Sequence, residues 1–242
     1  MAGRSIFTTD VKPIGNARGN AMAKSYVYAP ETIIKAYALG LFPMAESHNS
    51  KDIRFYDPDL RGLIPLDNSL GNGLHIPRRL RRRVRQHLYD ITIDKAFAAV
   101  ISACAARNST RTETWINAEI RQLYIALHIM GFAHSVEVWH KGYLVGGLYG
   151  VGIRAAFFGE SMFSRQTDAS KIALVHLMAR LRHGGFQLLD AQFSNEHLKQ
   201  FGAIDVPRIE FQRRLAEALA AEADLHLAKP SLQMVTDMLA TG

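Results

Sequence analysis

The spacing of apolar residues predicts a helix and two strands near the start of the chain. In PETIIKAYALG, apolar residues recur at helical spacing behind Pro30, and Gly40 can end the helix. The segments IRFY and GLIPL have the length and composition of short strands, and the turn sequence DPDLR lies between them. With LFPMAES interpreted as a turn, these elements predict a small N-terminal domain over residues 25–66.

The pattern over residues 67–242 predicts a larger domain. YDITI alternates as a strand, and Asp94 and Asn117 can each cap a helix, over KAFAAVISACAA and AEIRQLYIALHIMG respectively. The segments AHSVEVWH, YLVGGLYGV and RAAFFGES indicate three antiparallel strands, and a tight turn at Lys141 and Gly142 joins the first two.

The rest of this domain is predicted to contain three helices and one strand. An amphipathic helix over residues 169–183 is followed by a buried strand, FQLLDAQF, and by the helices NEHLKQFG and RIEFQRRLAEALAAEADL. A meander followed by helix, strand and helix is typical of an α+β domain. We therefore predict a mostly antiparallel sheet flanked by helices.

The composition of the chain indicates its cellular compartment. Residues 1–24 are polar and without period, which predicts a disordered leader. No stretch reaches the ~18 apolar residues that a membrane-spanning helix needs. The single cysteine, Cys104, lies in a predicted helix and excludes an internal disulfide framework. We expect a cytoplasmic protein with no membrane partner.

Charge is concentrated in one segment. The formal net charge is +7, and IPRRLRRRVRQHL contains six arginines. In a helix, Ile76, Leu80, Val84 and Leu88 would form a buried stripe, and the arginines would cover the exposed sides. This pattern has two interpretations, a solvated helical face or a surface that contacts phosphates, and the planar guanidinium favours the second.

Three polar side chains stand out in apolar surroundings. FFGESMFS places Glu160 behind two phenylalanines, and Asp190 and Gln192 lie two apart in LLDAQF, so they share one face of a strand. Asp190 could cap the helix at Asn195 or pair with an arginine. Alternatively, it could line a cleft and, beside the amide, hold a cationic or proton-donating group of a substrate.

Several other motifs do not carry a function. GVGIRA has dinucleotide-fingerprint spacing, but strand residues follow it where a helix should begin. The glycines of GGLYGVG indicate close backbone approach, either within the sheet or against a ligand. His134, His140 and His176 are isolated, and none of the ten histidines shows a zinc-protease spacing, so we expect no metal.

A series of segments resembles the leucyl/phenylalanyl-tRNA–protein transferase family. The matching stretches, in family order from about residue 30 to 213, are AYALGLFPM, DPDLRGLIPL, TWIN, LHIMGFAHSVEVW, LVGGLYGV, FFGESMFS, ASKIAL, LLDAQF and HLKQFGA. The resemblance implies a C-terminal domain similar to the GCN5-related acetyltransferase fold. It also implies transfer of leucine or phenylalanine, with methionine open, from aminoacyl-tRNA to proteins that begin with arginine or lysine, which marks them for N-end rule degradation.

The resemblance also implies roles for particular residues, with no cofactor and a monomeric enzyme. An esterified leucine or phenylalanine presents an apolar side chain beside a cationic amine, so its pocket needs apolar walls and one acid. Glu160 would be the acid, and the walls would be Phe157, Met162, Leu148, Leu177 and Leu181. Asp190 and Gln192 would flank the attacking amine in the catalytic site. Tyr37, Trp115 and Tyr124 would surround the 3′ adenosine. The tRNA backbone would contact Arg78, Arg79, Arg82 and Arg83.

Two other classes of function compete with this one. An acyl-CoA-dependent N-acyltransferase would share the fold, but the junction SRQTDASK lacks the Arg/Gln-x-x-Gly-x-Gly/Ala loop that binds pyrophosphate. A basic RNA-binding module without catalysis would explain the arginines but not Glu160, Asp190 and Gln192.

Overall fold

The computed structural model describes residues 28–50, 52–107, 112–226 and 231–241. The leader predicted over residues 1–24 lies outside the described residues. The helices are α1 (Pro30–Ala38), α2 (Arg78–Val84), α3 (Phe97–Ala105), α4 (Ala118–Ile129), α5 (Ala169–His183), α6 (Glu196–Lys199), α7 (Arg208–Ala220) and α8 (Ser231–Thr241). The strands are β1 (Phe42–Ala45), β2 (Ile53–Tyr56), β3 (Leu60–Leu63), β4 (Asp90–Ile93), β5 (Ala133–His140), β6 (Tyr143–Ile153), β7 (Ala156–Ser164), β8 (Leu188–Gln192) and β9 (Ile204–Pro207).

The small N-terminal lobe is one helix against a two-stranded sheet. α1 begins at Pro30 and ends before Gly40, as predicted, and Gly40 has a φ of 82°, which glycine adopts most easily. The segment expected to be a turn is strand β1, because Phe42 to Ala45 pair in register with Tyr56 to Ile53 of β2. An isolated apolar run cannot reveal a partner strand that lies beyond a loop.

The second domain is built on a seven-stranded sheet in the order β4-β5-β6-β7-β8-β3-β9. All neighbours are antiparallel except β7 and β8, and Lys141 and Gly142 adopt positive φ in the tight turn between β5 and β6. The predicted fold class, α+β with a mostly antiparallel sheet, is confirmed. β3 was expected in the small lobe, but it pairs with β8 and β9, so the lobe's own sheet ends with β2.

The two faces of the sheet carry separate hydrophobic cores. Residues of α1, α3, α4 and α7 pack on one face, and residues of α2, α5, α6 and α8 pack on the other. α5 was predicted to be amphipathic, but it is buried over most of its surface. The reason is α8, which the sequence pattern did not reveal and which packs on the side of α5 away from the sheet.

Local signals were partly right. Asn117 caps α4, since its side chain accepts a hydrogen bond from the Ile120 amide at 2.7 Å. Asp94 does not cap α3, whose N-cap is Ala96 without a side-chain bond. Leu88 is 52% exposed because α2 ends at Val84, so the predicted apolar stripe stops one turn early. Among the described helices, none is long and apolar enough to cross a membrane.

Candidate active site

The candidate site lies where the two parallel strands separate. β7 and β8 are paired from Ala156 and Leu188 to Phe158 and Asp190, and beyond that point β7 continues in register only with β6. Residues on both sides of this split line a cavity of about 500 Å³. A cleft at the end of paired strands is a common place for a ligand, because side chains of several elements converge there.

Most of the cavity wall is apolar. Three of the residues expected to form the apolar wall of the donor pocket, Leu148, Met162 and Leu177, line this cavity. The apolar wall residues that the sequence did not predict include Ile64, Phe163, Leu174, Leu189, Ala191, Phe193 and Leu198. Such a wall excludes charged groups, because transfer of an ion out of water is costly.

Phe157 and Leu181 do not line the cavity, although both were expected to. Phe157 is fully buried where β7 and β8 are still paired, opposite Leu189 and with its ring centroid 6.3 Å from that of Phe186. Leu181 is also fully buried, toward the end of α5. Leu174, one helical turn before Leu177, lines the cavity in place of Leu181. The part of α5 at the cavity is therefore one turn closer to its N-terminus than we expected.

Glu160 owes its direction to an irregularity in β7. Tyr149 pairs with Ser161 and Gly150 pairs with Gly159, so Glu160 is an extra residue with no partner in β6. A β-bulge of this kind changes the direction of a side chain. The Glu160 carboxylate accepts hydrogen bonds from three donors, the hydroxyl of Tyr37 at 2.6 Å, the hydroxyl of Tyr124 at 2.9 Å and the side-chain amide of Gln192 at 3.2 Å.

The electrostatics of this cluster centre on one carboxyl group. Burial raises the pKa of Glu160 to about 7, and the hydrogen bonds from Tyr37 and Tyr124 only partly offset that rise. Burial and the charge of Glu160 hold the pKa values of both tyrosines well above their ordinary range, so both stay protonated and donate. A cation in the cavity would therefore stabilise the ionised form of Glu160.

Tyr37 and Tyr124 hold this carboxylate and offer no open face for a base. Both are fully buried, and their hydroxyl oxygens are in contact with each other while each donates its proton to Glu160. The Tyr37 ring packs on Phe158 with centroids 4.8 Å apart, and the Tyr124 ring packs on Tyr149 at 5.3 Å. Trp115, the third predicted adenosine contact, is partly exposed and packs against the first core. The structure does not bring these three rings together as a stacking platform.

Asp190 is engaged by an arginine, which was one of the two interpretations left open. Arg61 Nε lies 2.9 Å from Asp190 Oδ1, and its Nη2 lies 2.6 Å from Oδ2, with both side chains almost completely buried. Asp190 Oδ1 also accepts a hydrogen bond from the backbone amide of Gln192 at 2.8 Å. Because Gln192 has a φ of 58°, a strained value for a residue other than glycine, this bond helps to hold the turn that directs its side chain to Glu160.

Sequence reasoning missed Arg61. Its guanidinium is sandwiched between the rings of Phe42, at 4.6 Å, and Phe211, at 4.3 Å, and it donates to the carbonyl of Gly40 at 2.8 Å. It therefore connects the small lobe to the strand that carries Asp190. The available signal was a single arginine within LRGLIPL, an otherwise apolar strand, but its partner lies 129 positions away.

The arginine segment presents a basic surface beside this domain. Arg78, Arg79 and Arg82 are exposed on α2. Arg83 is less available, since its guanidinium lies 3.7 Å from Asp168 and donates to the hydroxyl of Tyr89 at 3.3 Å. Three of the four arginines that were predicted to contact the tRNA backbone are therefore accessible to a ligand.

The start of α5 differs from a pyrophosphate site. Asp168 occupies the N-cap position with a φ of 65°, and its carboxylate lies 3.2 Å from the ammonium group of Lys171. A carboxylate at this position opposes a bound pyrophosphate by charge repulsion. This arrangement disfavours the acyl-CoA alternative.

A splayed parallel pair in a mostly antiparallel sheet flanked by helices is typical of the GCN5-related acyltransferase fold. The family model for leucyl/phenylalanyl-tRNA protein transferase matches residues 70–216, and the model for the N-terminal domain of the same family matches residues 28–59.

Curated relatives agree. The leucyl/phenylalanyl-tRNA–protein transferase of Phenylobacterium zucineum (strain HLK1) is 57% identical over 194 residues, which cover 80% of this chain and 86% of the relative. That of Paramagnetospirillum magneticum (strain ATCC 700264 / AMB-1) is 54% identical over 80% of this chain and 90% of the relative. The chain belongs to the leucyl/phenylalanyl-tRNA–protein transferase family and is an enzyme that acts on aminoacyl-tRNA and protein.

Proposed function

We propose that this enzyme transfers leucine or phenylalanine from aminoacyl-tRNA to the N-terminal α-amine of proteins that begin with arginine or lysine, and so marks them for N-end rule degradation. The observation that carries the proposal is the cavity, in which one carboxylate, Glu160, lies at an apolar wall. An esterified leucine or phenylalanine has the matching chemistry, an apolar side chain next to a cationic amine.

The donor lies in the cavity with its side chain against Leu148, Met162, Leu174 and Leu177. Its ammonium group pairs with Glu160, whose ionised form the two tyrosine hydroxyls stabilise. The apolar wall discriminates against a charged side chain strongly, but against methionine weakly, because one methylene's worth of shape is about 1 to 3 kcal/mol.

The reaction is aminolysis of an ester that is already activated. The neutral α-amine of the acceptor attacks the acyl carbon, a C–N bond forms, the bond to the ribose oxygen breaks, and the amine proton leaves through a ribose hydroxyl to that oxygen. Gln192 positions the amine, since a neutral amide is a very poor base. Asp190 is a positioning residue, because its carboxylate accepts the backbone amide of Gln192. Arg61 acts one step further away, because it pairs with Asp190.

The tRNA is held outside the cavity. The exposed arginines Arg78, Arg79 and Arg82 contact the phosphates of the acceptor stem, with Arg83 beside them, and recognise backbone rather than sequence. Trp115 is the aromatic that stacks on the terminal adenosine. Tyr37 and Tyr124 do not contact the adenosine; they hold the carboxylate of Glu160.

The test is single-turnover transfer of leucine from Leu-tRNA to a peptide with N-terminal arginine, with an N-terminal alanine peptide as the comparison. We expect transfer to the first peptide only. Glu160→Gln should raise the concentration of Leu-tRNA that gives half of the maximal transfer rate. The matched change Glu196→Gln, at a carboxylate that is 89% exposed, should leave that concentration unchanged. If both variants needed the same concentration of Leu-tRNA, the role of Glu160 would be contradicted. If both peptides accepted leucine equally, the preference for N-terminal arginine would be contradicted.

A second measurement separates positioning from binding. Gln192→Met keeps the length of the side chain and removes the amide, so it should lower the single-turnover rate and leave tRNA affinity unchanged. A rate equal to that of the parent would remove Gln192 from the mechanism.

We also propose a cytoplasmic monomer that needs no metal or cofactor for transfer. Its only cysteine, Cys104, is buried. A chain with one cysteine has no internal disulfide, which agrees with a reducing compartment. Light scattering should give a mass of 27.0 kDa at all concentrations used in the assay. A dimer mass would overturn the monomer.

A further inference from the structure

A second cluster of polar side chains lies on the edge of the sheet at β4 and β5. Asp94 follows β4, His134 lies in β5 and His226 follows α7, and one ligand atom of each lies within 4.8 Å of the others. His134 Nδ1 is 2.8 Å from Asp94 Oδ2, and His226 Nε2 is 3.6 Å from the same oxygen. None of the three residues lines the cavity of the transfer site.

From this cluster we propose that the protein has a Zn²⁺-binding site formed by Asp94, His134 and His226. Two imidazole nitrogens and one carboxylate oxygen are a ligand set that suits Zn²⁺, with water as the fourth ligand. Tetrahedral ligands at about 2.0 to 2.1 Å from the metal lie roughly 3.3 Å apart. The two separations from Asp94 Oδ2 bracket that value, and the ligand atoms of all three residues lie within 4.8 Å of one another.

The carboxylate is held in place for this role. Asp94 has a φ of 58°, and its Oδ1 accepts a hydrogen bond from the Ser135 amide at 2.7 Å, which leaves Oδ2 directed at both histidines. A second contact that orients a ligand is typical of metal sites. Asp94 is one of the few residues other than glycine with positive φ, and such strain is found at functional positions.

The position of His226 is also determined by its neighbours. Arg180 donates to the carbonyl of Leu225 at 2.8 Å, and the His226 amide donates to the Asp224 carboxylate at 2.7 Å. His226 itself is exposed, which gives the ion a path from solvent. The positive charge of Arg180 acts against a cation here, and the carboxylates of Asp94 and Asp224 offset it.

His128 is a neighbour and not a ligand. Its Nδ1 lies 3.9 Å from Asp94 Oδ1 but is engaged by the carbonyl of Ala133 at 2.8 Å, and its ring stacks on Phe97. Without the ion, the proton on His134 Nδ1 forms the hydrogen bond to Asp94. When Zn²⁺ binds, it replaces this proton, which is released to solvent.

The test is equilibrium dialysis of the full-length protein against Zn²⁺ at pH 7.5, followed by elemental analysis. We expect one bound equivalent in the parent, and at least about a tenfold loss of affinity in His226→Asn. The control His87→Asn changes another exposed histidine and should bind like the parent. Mg²⁺, which prefers oxygen ligands, should not compete.

His226 is exposed, so His226→Asn should fold normally even if Asp94→Asn does not. Co²⁺ provides an independent readout, because a tetrahedral site with nitrogen ligands gives visible absorption that His226→Asn should abolish. Zn²⁺ should also raise the melting temperature of the parent and not of His226→Asn. No binding to the parent, or equal binding by parent and His226→Asn, would overturn the proposal and would leave Asp94 and His134 as an ordinary hydrogen-bonded pair.

Discussion

Replacement of Glu160 by glutamine should change how stability depends on pH. The folded state holds the pKa of Glu160 at about 7, against an ordinary value of 4.5, so between these values the folded state binds the proton more tightly than the unfolded state does. The contribution of Glu160 to the free energy of unfolding should therefore fall as pH rises from about 4.5 to 7, and it should stay low above pH 7.

The magnitude follows from the size of the pKa difference. One pKa unit is worth about 1.36 kcal/mol, so a rise from 4.5 to about 7 corresponds to roughly 3 kcal/mol of stability lost when the carboxyl ionises. Glutamine has the same shape, its carbonyl can still accept from Tyr37 or Tyr124, and it does not titrate. Glu160→Gln should be more stable than the parent at pH 8, and the advantage should disappear toward pH 4.5.

The assay is urea unfolding of parent and variant from pH 4.5 to 8.5, with the difference in the free energy of unfolding plotted against pH. The difference removes the contribution of groups common to both proteins, such as His176, whose pKa burial lowers to about 4. A flat difference curve would refute the reasoning, because it would mean that Glu160 has an ordinary pKa. A sloping curve would also show that the buried carboxyl group of the candidate site is maintained at a cost in stability.

Three further predictions concern the ion pair, the basic helix and the cavity. Arg61→Met should destabilise the fold by about 3 to 5 kcal/mol in urea unfolding, since it leaves Asp190 charged and buried; a loss below about 1 kcal/mol would contradict this. Charge reversal at both Arg79 and Arg82 should lower tRNA affinity and flatten its dependence on salt in filter binding, whereas unchanged binding would return α2 to a solvated face. Leu174→Phe should reduce transfer of phenylalanine about 10- to 200-fold more than transfer of leucine, and equal losses would place the side chain elsewhere.

Short-range patterns predicted much of the fold. The strands β5, β6 and β7, the turn at Lys141 and Gly142, and the cap at Asn117 depend on alternation and on backbone preferences of single residues. The apolar environment of Glu160 was likewise visible in FFGESMFS. These features involve residues within a few positions of each other, so the local sequence contains the relevant information.

The details of the candidate site were less accessible. The family resemblance implied that Tyr37 and Tyr124 surround the nucleoside, and the structure shows that their hydroxyl groups hold Glu160 from 123 and 36 positions away. Phe157 was assigned to the pocket because the donor needs an apolar wall beside one acid. The bulge at Glu160 separates it from Phe157, and a bulge exists only relative to a partner strand.

The sequence by itself determined the fold class, the family and the types of side chain at the site, because apolar period, turn residues and motif order are properties of the linear chain. Only the tertiary structure decided that β3 joins the large sheet, that Arg61 pairs with Asp190 and that the cavity opens between β7 and β8. Those outcomes depend on which distant segments come into register and which buried charges find a partner. Buried polar groups are stable only when paired, and the pairing is settled by the packing of the whole domain.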